Sequence, residues 1–69
     1  MHPADINAAL RKAGSNQARI AEQLRISGNA ISNVIYSRMT SYRVANAIAK
    51  VTGLSVNTLW PGKYNRTAH

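Results

Sequence analysis

The chain has 69 residues, with nine Lys and Arg against only Asp5 and Glu22, giving a formal charge of +7 and an isoelectric point near 11.0. A chain this short buries only about 60% of its unfolded surface, and without cysteine no disulfide or Cys-based zinc site can staple it, so helix packing must hold the fold. The charge calls for a polyanionic partner, most commonly nucleic acid. No apolar run approaches the roughly 18 residues of a membrane span, and the opening residues lack the apolar core of a signal peptide.

Over residues 3–13, Ile6, Ala9, Leu10 and Ala13 fall on one stripe, with Pro3 suited to a first turn and Gly14 to a C-terminal stop. Asp5 at the start of this helix and Arg11 and Lys12 at its end each lie on the favourable side of the helix dipole. His2 reads as an exposed residue or a capping partner. A metal role is not expected, since the other histidine is His69 and no cysteine or carboxylate cluster accompanies either.

Ser15 or Asn16 can cap a second helix, which opens residues 17–36, a helix-turn-helix pattern. Ile20, Ala21 and Leu24 share one face of it. The small Ala21 lets the two motif helices approach closely, and Ile26 plugs the turn. Gln17 stands where unpaired backbone N–H groups favour phosphate, or else simply solvates the helix start. Glu22 lies three residues from both Arg19 and Arg25, the spacing of structural ion pairs. Arg25 occupies a turn position that favours Gly, where an L-residue forced to positive φ costs roughly 1–2 kcal/mol.

Ser27 is the natural N-cap of the next helix, whose apolar face is Ile31, Val34 and Ile35. Gly28 in its first turn leaves room for a phosphate or a base edge to come close. Asn29, Ser32, Asn33 and Tyr36 form the opposite stripe at i, i+3, i+4, i+7 spacing, and none carries a formal charge at neutral pH. A face that only needs solvation favours Lys, Glu and Gln. Short amides and hydroxyls instead suit major-groove readout, Asn pairing with adenine and Ser with either class of base. Each residue taken singly reads equally as the wet side of a bundle helix, and Tyr36 also suits the rim of the core; the turn, the plug and the basic charge together favour the reading face.

Residues 37–41 form a loop without Gly or Pro, flanked by Arg38 and Arg43, which suit phosphates or plain solvated surface. Thr40 or Ser41 can cap a fourth helix with the face Val44, Ala45, Ile48 and Val51, which Gly53 ends and Leu54 folds back on. Ser55 caps a last helix over residues 56–60, halted by Pro61. Trp60 is expected to lid the core with its indole N–H turned to a partner. Residues 63–69 read as a polar tail. The expectation is one all-α domain of five helices over residues 1–69, without cofactor, metal site or small-molecule ligand.

With these segments read, the chain resembles the Ner-like regulators of transposable phages and their bacterial relatives. The segments HPADINAALRKAG, IAEQLRISGNAISNVI and VANAIAKVTGLSVNTLWPGKYNR carry the resemblance, the last most specifically. It implies a compact fold similar to the lambda-repressor DNA-binding domain and a role as a transcriptional repressor at phage-type promoters, in the cytoplasm of a bacterial cell. By position it implies phosphate contact at Gln17 and base contact at Gly28, Asn29, Ser32 and Asn33, with Trp60 structural. Arg25 in place of the turn Gly, and a short loop 37–41 lacking Pro, depart from the family pattern.

Sequence-specific binding of double-stranded DNA is therefore the expected function, with base contacts from Gly28, Asn29, Ser32 and Asn33 and backbone contacts from Gln17, Arg19, Ser27, Tyr36, Arg38 and Arg43. One module makes few base contacts, so monomers are expected to pair as a homodimer on a pseudo-palindromic operator, about one helical turn apart. The competing expectation is a protein-interaction adaptor whose charge gives only non-specific nucleic-acid affinity. A structured-RNA binder is disfavoured by the lack of an aromatic stacking platform. Two distant acids, two terminal histidines and no cysteine leave few candidates for a nucleophile-base pair, and no phosphate-loop signature is present, so an enzyme is not expected.

Overall fold

A computed structural model describes residues 1–64 and gives five helices: α1 (Pro3–Lys12), α2 (Gln17–Leu24), α3 (Gly28–Ile35), α4 (Tyr42–Thr52) and α5 (Val56–Leu59). The protein is all-α, with no strand among the described residues. Each helix begins at a residue whose side chain accepts from a first-turn N–H: His2 Nδ1 from Ala4, Asn16 Oδ1 from Arg19, and the hydroxyls of Ser27, Ser41 and Ser55 from Ala30, Val44 and Thr58. Five helices as short as these depend on such caps, because the unpaired N–H groups of a first turn are a large share of their backbone donors.

The C-terminal ends follow one geometry three times over. After α1 the Gly14 N–H donates to the Arg11 carbonyl and the Ser15 N–H to that of Leu10. After α2 the same pair runs from Arg25 to Glu22 and from Ile26 to Ala21, and after α3 from Ser37 to Val34 and from Arg38 to Asn33. This reciprocal pattern needs a left-handed residue at its centre. Gly14 supplies it with φ +77°, but Arg25 (φ 57°) and Ser37 (φ 62°) are L-residues in the same conformation. Both turns framing α3 are therefore built on strained residues.

Helix α4 is the scaffold, packing against each of the other four helices and burying Val44, Ala45 and Ile48. Onto it converge Ile6 and Leu10 of α1, Ile20 and Ala21 of α2, Ile31, Val34 and Ile35 of α3, and Leu59 of α5. The apolar stripes read from helical spacing are thus the core, with Leu24, Ile26, Val51 and Leu54 half-buried against it. On α1 the stripe is narrower than read: Ala9 is half-buried outside the core cluster, and Ala13 falls at the exposed C-cap.

Other expectations need correction. Helix α5 stops at Leu59, and Trp60 is its C-cap. Trp60 does close the core, at 4% exposure, but its indole N–H has no hydrogen-bond partner among the described residues. The segment from residue 63 does not begin as a tail: Tyr64 is buried, its ring edge-on to Trp60 at 5.4 Å and to Tyr42 at 5.0 Å between centroids. The rest of that segment, residues 65–69, including Arg66 and His69, lies outside the described residues. Glu22 is exposed and makes no ion pair with Arg19 or Arg25, in keeping with the small net gain of exposed pairs. No helix among the described residues is long and apolar enough to cross a membrane.

Candidate nucleic-acid interface

Helix α3 buries Ile31, Val34 and Ile35 and turns its other side outward. Gly28 and Asn29 are exposed, Ser32 and Asn33 half-buried, and Tyr36 stands 48% exposed at the C-cap. The stripe read from sequence is therefore one continuous accessible face. None of the Asn29, Ser32 and Asn33 side chains hydrogen-bonds within the described residues. Three adjacent side chains keep their donors and acceptors free along a single helical line. Gly28 has a negative φ, and no atom lies within 4 Å of where a Cβ would sit, so nothing inside the fold requires glycine there. A Cβ at that point would stand in open space at the start of the helix.

Two arginines lie past the end of α3, one in the turn that follows it and one in the first turn of α4. Arg38 follows the left-handed Ser37 and lies with its guanidinium carbon 5.4 Å from the centroid of the Tyr36 ring, both side chains exposed. Arg43 is engaged differently from a free phosphate ligand: its Nη2 donates to the Leu24 carbonyl at 2.8 Å. It thereby caps the end of α2 and ties α4 to the turn of the motif, a tertiary bond that sequence spacing cannot reveal. One guanidinium donor is spent on that carbonyl, and Arg43 remains exposed.

At the start of α2, Gln17 is also partly committed, its Nε2 donating to Asn7 Oδ1 at 2.8 Å. Gln17 is half-buried, and beside it Asn7, Arg11, Asn16 and Ala18 line a shallow recess. Arg11, assigned from sequence only to the dipole of its own helix, is thus brought to the N-terminus of the next one. Its signal in the sequence was the i, i+4 spacing from Asn7, which means little until the two helices are seen to meet. Arg19 is exposed on α2, and the Ser27 hydroxyl oxygen accepts from the Ala30 N–H at 3.2 Å as the α3 cap. No cluster of three or more His, Cys, Asp or Glu that could hold a metal exists among the described residues.

The geometry is that of two helices set across a tight turn, the second presenting an unpaired polar face with arginines on either side. A scan against family profiles matches residues 1–69 to the winged helix-turn-helix DNA-binding family. No curated protein and no solved structure matches the chain. The wing in the family's description has no strand to form it among the described residues, and the segment after α5 packs back on the core instead. By a match that spans its whole length, the chain belongs to the winged helix-turn-helix DNA-binding family.

Proposed function

We propose that this DNA-binding domain is a sequence-specific transcriptional regulator of the Ner-like type, repressing a phage or prophage promoter by occupying its operator. The observation that carries the reading is the free polar stripe of α3. Asn29, Ser32 and Asn33 have no partner among the described residues, and Gly28 clears the approach at the N-terminal end of the same helix. In a major groove, Asn29 and Asn33 offer bidentate amides to adenine and Ser32 a hydroxyl to either class of base. The half-burial of Ser32 and Asn33 limits how far they reach, which suits a helix seated deep in the groove.

Phosphate contacts would hold this register without reading sequence. Arg38, Arg19 and the Tyr36 hydroxyl are the free donors, Ser27 and Gln17 offer backbone N–H groups, and Arg43 has guanidinium donors beyond the one given to Leu24. Arg11 joins them at the recess beside Gln17. A monomer neutralising about five phosphates should give a log–log salt slope of roughly −4.5, and a pair on a pseudo-palindrome nearly twice that. The site of action is the bacterial cytoplasm, on the nucleoid.

Base reading is tested by removing the two amides. Asn29→Ala and Asn33→Ala should each cut discrimination between the operator and a scrambled duplex by a factor corresponding to about 1–3 kcal/mol, with the salt slope unchanged. Equal affinity of wild-type protein for unrelated duplexes, unaltered by either substitution, would instead make the domain an adaptor with general polyanion attraction.

A further inference from the structure

We propose that the segment following α5 is a strap that positions the α3–α4 loop for DNA, with Lys63 and Tyr64 as positioning residues that act through Arg38. The proposal rests on the DNA-reading role of α3 and extends it to residues that touch no base. Two consecutive residues hold the loop at its two ends. Lys63 Nζ donates to the Ser37 carbonyl at 3.0 Å, and the Ser41 N–H donates to the Tyr64 hydroxyl oxygen at 3.2 Å. Between these clamps lie Arg38, Met39 and Thr40, all exposed.

Each clamp compensates for something the local sequence does not supply. At its first end the loop turns on Ser37 at φ 62°, a conformation an L-residue does not hold by preference. At its second end Ser41 caps α4, and in a capping box the N–H of such a residue is met by a Glu or Gln three residues on. Here that position is Val44, which has no acceptor, and the Tyr64 hydroxyl takes the place of one from 23 residues away. Tyr64 is itself fixed, 8% exposed and edge-on to Tyr42 and Trp60. Lys63 is placed by a turn in which its N–H donates to the Trp60 carbonyl at 3.1 Å, with Gly62 at φ 76°. The strap is thus anchored in the core while its polar ends grip the one loop that leads out of the reading helix.

The test uses Tyr64→Phe, which keeps both ring contacts and removes only the hydroxyl. In the free protein, hydrogen exchange of the Ser41 amide should rise about ten-fold, while Ile31 and Val34 in α3 stay protected. On a selected operator duplex, well below the melting temperature, Tyr64→Phe should weaken binding about five-fold, the loss expected of one hydrogen bond. In an Arg38→Ala background it should cause no further loss, because its effect passes through Arg38. Lys63→Met, which keeps the alkyl stem, should show the same dependence on Arg38. Multiplying losses in the double variants, or unchanged exchange and affinity in Tyr64→Phe, would overturn the strap. So would Arg38→Ala binding the operator as tightly as wild type, with base discrimination by α3 still standing. Failure of the wild-type protein to discriminate duplexes at all would sink the DNA-reading role and the strap with it.

Discussion

Replacing Arg25 by Gly should stabilise the protein, although it removes a charge and adds no contact. Arg25 closes α2 at φ 57° and ψ 46°, its side chain exposed, with its N–H and that of Ile26 returning to the Glu22 and Ala21 carbonyls. A Cβ in that conformation costs roughly 1–2 kcal/mol. Glycine removes the cost but loses about 0.5–1 kcal/mol through the larger freedom of its unfolded chain. The balance is a gain of about 0.5–1 kcal/mol, or roughly 3–6 °C in melting temperature for a domain of this size. Thermal unfolding followed by circular dichroism reads this directly. Arg25→Ala is the control, since it removes the same charge and keeps the Cβ, and it should melt within about 2 °C of wild type. A Gly variant no more stable than the Ala variant would refute strain at this turn.

Arg43→Ala should cost about 0.5–1 kcal/mol of stability by uncapping the Leu24 carbonyl, a modest value because the bond is exposed. Chemical denaturation measures that loss, and an unchanged midpoint would mean that the bond adds no net stability. Gly28→Ala should raise stability by about 0.5 kcal/mol, since the position is open and helical, yet weaken operator binding in a gel-shift titration. Unaltered affinity there would show that nothing approaches the start of α3 closely. Trp60→Phe deletes a buried N–H without a partner, so the relief should offset much of the lost packing and leave a net cost below about 1.5 kcal/mol. Trp60→Ala, which empties the site, should cost about 3–5 kcal/mol by the same denaturation assay.

What could be read from the residues was whatever is local. The caps at Ser27 and Ser55 follow from a short polar side chain standing just before an apolar period, and both hold; of the pairs Ser15 or Asn16 and Thr40 or Ser41, the structure uses Asn16 and Ser41. Spacing alone separated Ile31, Val34 and Ile35 from Asn29, Ser32 and Asn33, because one helix must turn the two sets apart. The misreadings are tertiary. Tyr64 looked like part of a polar tail because its burial depends on α4 and Trp60 being packed beside it. The bonds from Gln17 to Asn7, Arg43 to Leu24 and Lys63 to Ser37 join residues 10, 19 and 26 positions apart, beyond any periodicity. Ser37 gave no sign of its left-handed conformation, since serine is a common loop residue in any geometry. The outward polar stripe of α3 was legible, and the long-range bonds around it were not.

The central claim is that α3 reads sequence. Selection of bound duplexes from a random DNA pool, followed by salt titration of the winner against a scrambled control, tests it most directly. An enriched, pseudo-palindromic motif bound more than about 10³-fold better than the control is the predicted result. No enrichment, with both duplexes losing affinity alike as salt rises, would contradict it and leave the positive charge as non-specific attraction.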